Sequence, residues 1–340
     1  MKYDIAVVIG RFQPFHNGHK TIISRAMAIA EEVVVVIGSA NQPRTVKNPF
    51  TASERAQMID AVFPDQAKLR CVAVEDNLYH ETGWIQAVQQ AVDAPEGATV
   101  AILGYEKDES SYYLRCFPEW EFFDIGGYTI DHGRPIDASK IRELMFDRHV
   151  HYANPVVPES VYNTLLTFTS TEEYETLSAE HEYLRMYKQQ WQNVPYPVTF
   201  FTVDSVVVQS GHILLVQRRA QPGKGLWALP GGFINQDETA MESAVRELRE
   251  ETRIKVPPAV LRGSIKAEKL FDAPGRSQRG RTITQAFLFE LPEQEDLPKV
   301  KGSDDAMDAR WFPLSKVACM TDHLFEDHAS IIRMMVNRAK

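Results

Sequence analysis

Residues 5–38 read IAVVIGRFQPFHNGHKTIISRAMAIAEEVVVVIG. An apolar, β-branched run closed by Gly10 leads into a turn holding Arg11, His16 and His19. Ile22, Ile23, Ala26, Met27 and Ala30 then recur at helical spacing before a second β-branched run. Runs of this kind are strands buried on both faces, and the 3.6-residue period between them is one amphipathic helix, so the stretch predicts a βαβ unit. The alternation continues outward. Helices are expected in TASERAQMIDAVF (51–63), TGWIQAVQQAV (82–92) and DASKIRELMF (137–146), and strands in KLRCVAVED (68–76), TVAILG (99–104) and WEFFDIG (120–126). Strands alternating with helices predict a parallel sheet covered on both faces, a Rossmann-like doubly wound α/β domain.

The pattern changes after about residue 150. Residues 158–192 read as polar helix, and the two prolines of NVPYPVTF (193–200) end it. Two domains are therefore expected, one over 1–185 with a helical linker as its last part and one over 190–340, as a chain of 340 residues already suggests. In the second, VTFFTVDSVVVQ, HILLVQRR and ITQAFLFEL read as strands around a helix at 238–252, with a last helix over 322–338. That is an α+β arrangement with a mixed sheet.

Composition limits the function classes. A hydrophobic fraction of 44% and a charged fraction of 24% describe an ordinary globular chain. The formal net charge of −9 argues against a general binder of nucleic acid or anionic membrane. Cys71, Cys116 and Cys319 stand far apart with no metal-ligand spacing, as in reduced thiols. With no leader-like segment and no long apolar run, a cytoplasmic protein is expected.

Two constellations carry chemistry. His16 and His19 stand three apart where the first helix begins, beside unpaired N–H groups and the positive end of the helix dipole, with Gly18 allowing close approach. This is an anion cradle, and histidine can donate to oxygens that gain charge during phosphoryl or nucleotidyl transfer. The alternative is a loop of solvated histidines. Farther on, Glu247, Glu250 and Glu251 stand at i, i+3 and i+4, so one helical face carries three carboxylates. Either this is a solvated acidic face or a divalent cation, Mg²⁺ or Mn²⁺, reverses the repulsion.

The stretch GRFQPFHNGH resembles the signature of the HxGH nucleotidyltransferases, and most closely the archaeal-type nicotinamide mononucleotide (NMN) adenylyltransferases. NPFTASERAQMI (48–59), VEDNLYHETGW (74–84) and DASKIREL (137–144) fit the same branch, so the resemblance covers roughly residues 1–150. It implies that His16, His19 and Arg142 hold ATP phosphates. Arg11 and Ser139 would be further phosphate contacts, and Gly10, Phe12, Gly18 and Gly104 would line the nucleotide site. Asp76, Asn77 and Trp84 resemble the pyridine-nucleotide end, where Trp84 either stacks on nicotinamide or simply packs in the core.

Gly232, Glu238, Arg246, Glu247, Leu248, Glu250, Glu251 and Ile254 match the Nudix box, except that Arg253 replaces its glycine near the helix C-terminus. The resemblance to Nudix hydrolases covers about 195–338. It implies Mg²⁺ (or Mn²⁺) held by Glu247, Glu250 and Glu251 with Gly231, and attack of water on a nucleoside diphosphate linked to another group. LWALPGGF (226–233) and FDAPGRSQRGRTITQAF (271–287) look like the ADP-ribose branch, in which Arg279 and Arg281 would meet the diphosphate or terminal ribose. Glu268, Asp304 and Asp305 are general-base candidates by position. Together the halves resemble the bifunctional NMN adenylyltransferase/Nudix hydrolases. The partners implied are ATP, NMN, NAD and ADP-ribose, with a homo-oligomer allowed and no nucleic acid or membrane. An ADP-ribose sensor without hydrolysis, or adenylyl transfer to another phosphate acceptor, are the competing readings.

Overall fold

The computed structural model describes residues 2–106, 109–126, 129–130, 134–135 and 137–337. Two compact units divide between Ala179 and Glu180.

In the first unit the opening stretch forms β1 (Tyr3–Gly10), α1 (Asn17–Ile29) and β2 (Ala30–Ile37). Then come α2 (Ala52–Val62), β3 (Leu69–Ala73), α3 (Glu81–Val92), β4 (Val100–Gly104), β5 (Glu121–Asp124), a two-stranded ribbon β6 (Thr129–Ile130) and β7 (Arg134–Pro135), α4 (Ala138–Phe146) and α5 (Glu159–Phe168). The unit division falls within α6 (Glu172–Gln189). The sheet runs β3-β2-β1-β4-β5 with every neighbour parallel. Alternate residues serve opposite faces. Ala6, Val8, Val33, Val35 and Leu103 pack with Ile23, Met58 and Ile141, whereas Ile5, Val7, Val34, Val36 and Ile102 pack with Val88, Val92 and Trp84. Both faces are buried, as the unbroken apolar runs require. The strand order reverses between β1 and β4, so the crevice beyond their C-terminal ends, at Gly10 and Gly104, is where a doubly wound sheet places a ligand.

The second unit contains β8 (Thr199–Gln209), β9 (His212–Arg218), β10 (Trp227–Ala228), β11 (Gly231–Phe233), α7 (Ala240–Thr252), α8 (Pro258–Gly263), β12 (Ile265–Phe271), β13 (Arg281–Glu290), β14 (Ala306–Pro313), α9 (Leu314–Val317) and α10 (His328–Val336). Its sheet is mixed: β13 runs parallel to β8, while β9, β10, β11, β12 and β14 make antiparallel pairs. Val203 and Val207 face α7 through Ala244, Val245 and Leu248, and between them Asp204 points the other way, to His328 of α10. Strands β12 and β14 were not foreseen, because IKAEKLF and AMDARWFP carry weak apolar alternation. The last helix is shorter than the expected 322–338, starting at His328 after a 3₁₀ turn; position 338 lies outside the described residues. The C-terminal part of α6 belongs with the second unit because Tyr187 and Trp191 pack on Phe200, and Glu180 accepts the Gly223 N–H at 2.8 Å.

Candidate active sites

The first site is assembled at the switch point. His16 is the N-cap of α1: its Nδ1 accepts the Gly18 N–H at 3.1 Å, while Nδ1 of His19 accepts the His16 N–H at 3.3 Å. The two rings stack with centroids 3.6 Å apart, and Phe12 meets His19 edge-on. Because each Nδ1 accepts from the backbone, a neutral ring carries its proton on Nε2, leaving that N–H as the donor for a ligand. Burial favours the neutral form. It lowers His16 to about 4 against a smaller upward pull from Asp137, and holds His19 well below its usual range, with His16 adding to the effect.

Arg142 arrives from α4, 9% exposed, and donates to the Gln13 carbonyl at 2.6 Å and to the Ser139 hydroxyl at 3.1 Å. Ser139 itself donates its N–H to the Asp137 cap, at the start of the helix as expected. Arg11 is exposed. Lys47, which sequence reasoning missed, completes the group: burial, then the charges of Arg11 and Arg142, lower its pKa, with Asp76 opposing. Burial and then Arg11 likewise depress Arg142, to about 10. Burial contributes most to these shifts, and the three cations are close enough to add to them.

Two further buried groups position this cluster. Arg55, 1% exposed, donates to the carbonyls of Arg11 (2.8 Å), Gly38 (2.6 Å), Ser39 (3.1 Å) and Thr51 (3.1 Å), tying together the loops after β1 and β2 and the cap of α2. The Gln13 amide makes a reciprocal pair with the backbone of Phe50, at 2.7 and 3.0 Å. Both residues lie inside the quoted motifs, yet nothing in a linear pattern tells a buried, backbone-binding Arg from a ligand-facing one. Asp76 accepts from the N–H and hydroxyl of Ser39, at 3.1 and 2.6 Å. The Asn77 carbonyl receives the His80 N–H, and Trp84 is half-buried against Tyr113 and Phe117.

The second site centres on α7, started by a capping box between Thr239 and Glu242. Arg246 lies among the carboxylates, donating to Glu238 at 2.8 Å, Glu247 at 2.8 Å and Glu250 at 2.9 Å. Glu251 turns inward and accepts the Gly231 N–H at 3.0 Å; burial pushes it up to about 8 against that hydrogen bond, and Glu247 adds to the rise. Burial raises Glu247 too, with Arg246 opposing. Gly231 has no room for a side chain against the β8 backbone, and Gly232 packs on the end of the Glu247 side chain. A Cβ at Gly231 would meet the Val203 carbonyl at 2.0 Å, and one at Gly232 would meet the Glu247 carboxyl at 2.6 Å.

An oxygen-only set of carboxylates, two of them buried at a cost, suits a hard divalent cation. The set is not gathered into a cage: among the described residues no three such groups converge on one point, since Glu247 and Glu250 are held by Arg246. Asp304 and Asp305 lie close enough to raise Glu247 and Glu251 respectively. Glu268 instead lines a cavity of about 380 Å³ with Thr239, Met241, Arg262, Gln285 and Phe287, at the N-terminal end of α7. Arg279 lies over the Phe233 ring at the end of β11, but Arg281 donates to the Asp272 carbonyl. Arg253 adopts the left-handed conformation (φ 48°) that the absent glycine would take without strain.

Comparison with known proteins agrees with the two-part fold. The cytidylyltransferase-like family matches residues 7–90 and the NUDIX domain family matches 199–335. The fold and its two sites thus define a nucleotidyltransferase fused to a Nudix domain. The nicotinamide/nicotinic acid mononucleotide adenylyltransferase of Acinetobacter baylyi is 36% identical over 184 residues, 53% of this chain and 94% of that protein. The ADP-ribose pyrophosphatase of Methanocaldococcus jannaschii is 34% identical over 131 residues, 38% of this chain and 69% of that one. Two crystal structures of a bifunctional NMN adenylyltransferase/ADP-ribose pyrophosphatase from Francisella tularensis superimpose with TM-scores of 0.91 and 0.90 at 37% and 36% identity. Each match covers 99% of this chain and 100% of that one, and the second holds AMP and an Mn ion. The chain belongs to this family of bifunctional NMN adenylyltransferase/ADP-ribose pyrophosphatases. Among the described residues no helix is long and apolar enough to cross a membrane.

Proposed function

We propose that residues 1–185 transfer the adenylyl group of ATP to NMN, giving NAD and pyrophosphate, and that residues 190–340 hydrolyse ADP-ribose to AMP and ribose 5-phosphate with Mg²⁺. The observation that carries the first activity is that His16 and His19 both engage the backbone through Nδ1, which leaves Nε2–H of each as a donor, in a unit where Arg11, Lys47 and Arg142 lie close enough to act on one another. A phosphate oxygen of NMN bonds to the α-phosphorus of ATP as the bond to the bridging oxygen breaks and pyrophosphate leaves. The protein supplies no nucleophile. Its histidines donate to the phosphate oxygens, and its cations offset the charge that builds on them, so rate comes from positioning and electrostatics.

For hydrolysis, Glu247, Glu250 and Glu251 would hold the divalent cation, which polarises the diphosphate and activates water when bound. Binding it requires Arg246 to release Glu247 and Glu250, while Gly231 keeps Glu251 in place. The test is chromatographic. Purified protein with Mg²⁺, ATP and either NMN or nicotinate mononucleotide should form dinucleotide and pyrophosphate, and with ADP-ribose it should form AMP. Folded protein that makes neither dinucleotide would overturn the acceptor assignment.

A further inference from the structure

The main chain that leads to Gly231 is held from the face of the sheet opposite α7. Leu229 and Pro230, both buried, join β10 to β11. Three hydrogen bonds fix this passage. The Leu229 N–H donates to Nδ1 of His328 at 2.8 Å, the Pro230 carbonyl accepts the Ser205 N–H at 2.8 Å, and the Gly231 N–H donates to Glu251 at 3.0 Å. The first of these comes from α10, 99 positions along the chain.

His328 is 5% exposed, and its two ring nitrogens face different groups. Nδ1 accepts from Leu229, so a neutral ring carries its proton on Nε2, which lies 3.8 Å from Asp204 Oδ1. Burial, the largest influence on the ring, favours that neutral form and lowers it to about 3. Asp204 is buried in turn. The Thr284 hydroxyl donates to its Oδ2 at 2.6 Å, and Arg276, committed in a bidentate pair with Asp327 at 2.9 and 2.7 Å, has Nη2 3.9 Å from the same oxygen. Asp204 also pairs with Gly231 between β8 and β11, and a Cβ on Gly231 would meet its Oδ1 at 3.0 Å. One buried polar network thus reaches both ends of Leu229–Pro230–Gly231, and such networks are rigid when their members are bonded. Pro230, with φ fixed by its ring, passes the placement of Leu229 on to Gly231.

We propose that His328 is a positioning residue of the Nudix metal site: by accepting the Leu229 N–H it sets the Gly231 main chain against Glu251, and Asp204 favours the tautomer that can accept. The proposal deepens the hydrolase reading given above and rests on it. Groups around a metal must be held within about 0.5 Å of their working positions. Glycine, required here because a side chain has no room, has the least restricted backbone of any residue, so its neighbours must supply the constraint.

The experiment titrates the full-length chain with Mn²⁺ in the absence of nucleotide, following the free ion by electron paramagnetic resonance. Glu250→Gln supplies the baseline, so that ions bound at the carboxylates are the ones counted. His328→Asn keeps an acceptor where Nδ1 stands, since both atoms are bonded to Cγ, whereas in His328→Gln the amide lies one bond farther out, near the place of Nε2. Mn²⁺ affinity should fall about ten- to a hundredfold in His328→Ala and His328→Gln and stay within about threefold of wild type in His328→Asn. Either of the first two suffices should the other not fold. ADP-ribose hydrolysis should follow the same order. A role in packing alone would lower the thermal midpoints of the Asn and Gln variants alike without separating their metal affinities. Equal affinities in the folded variants, or an Asn variant as weak as Gln, overturn the proposal. So does an Asn variant that does not fold, because filling the core is then what His328 does. Should wild type bind no more Mn²⁺ than Glu250→Gln, the metal reading fails on its own. The anchor is then judged by hydrogen exchange at the Gly231 amide: exchange about tenfold faster in His328→Gln than in wild type and His328→Asn upholds it, and equal rates overturn it.

Discussion

The two sites are opposites in charge and in what holds them. In the first unit Arg11, Lys47 and Arg142 gather with two neutral histidines, and main-chain carbonyls do the fixing: Arg55 binds four of them and Arg142 binds that of Gln13. In the second, carboxylates gather and another side chain, Arg246, stands among them. Each site collects like charges whose repulsion a ligand of opposite sign relieves. The difference is in readiness. Under the proposed function, a carbonyl-anchored cluster would keep its shape as a ligand enters, whereas the arginine-bridged one would exchange its internal partner for the cation.

The largest effects should separate the sites completely. His19→Ala is expected to lower adenylyl transfer by about two orders of magnitude or more while sparing hydrolysis, and Glu250→Gln to do the reverse. Product analysis of both reactions on each variant checks this, and loss of both activities from either change in folded protein would contradict independent sites. Next in size is Arg55→Ala. Leaving buried carbonyls without a donor costs about 1–3 kcal/mol each, so urea unfolding should reveal a strongly weakened first unit with little adenylyl transfer. A stability within about 0.5 kcal/mol of wild type would mean that water replaces the guanidinium.

Acid should act through the paired histidines. His16 has a folded pKa of about 4, below its unfolded value near 6.5, so the unfolded chain takes up the proton first as pH falls. Its contribution is complete above about 6.5 and is lost progressively toward 4. His328, lowered by burial to about 3, has the same sign in the second unit. Glu251, raised to about 8, has the opposite sign in that unit, so the decline is expected of the first unit: its urea midpoint should fall from pH 7.5 through 6 to 5, and less so in His16→Asn, which keeps a helix-capping acceptor but does not titrate. Identical declines in the two proteins would remove His16 from the account. The smallest effect is at the turn after α7, where Arg253→Gly should stabilise by about 0.5–1 kcal/mol by relieving the left-handed strain, read as a higher thermal midpoint.

The alternation of strands and helices in the first unit was legible because its central strands β1, β2 and β4 are buried on both faces and read as unbroken apolar runs between helical periods. Legibility was lower in the second unit, where β12 exposes alternate residues such as Lys266, Glu268 and Leu270. Among site residues, His16, His19, Glu247, Glu250 and Glu251 were visible because their spacing within a helix or its cap already brings them together. Arg279 and Arg281 were read alike from the resemblance, and their separation was not legible, because Arg279 belongs to the loop before β13 and packs on Phe233 whereas Arg281 opens the strand and bonds to the Asp272 carbonyl.

By itself the sequence determined what depends on near neighbours: the βαβ alternation, the histidine cap, the acidic helix face and the glycine-rich approach to it. Only the tertiary structure decided which distant groups join them. Arg55 reaches the carbonyl of Arg11, 44 positions away, and Arg142 that of Gln13, 129 positions away. His328 reaches the Leu229 N–H from α10, 99 positions away. Local periodicity specifies which face a side chain occupies, but the partner it finds there is set by strand order and by how the layers pack.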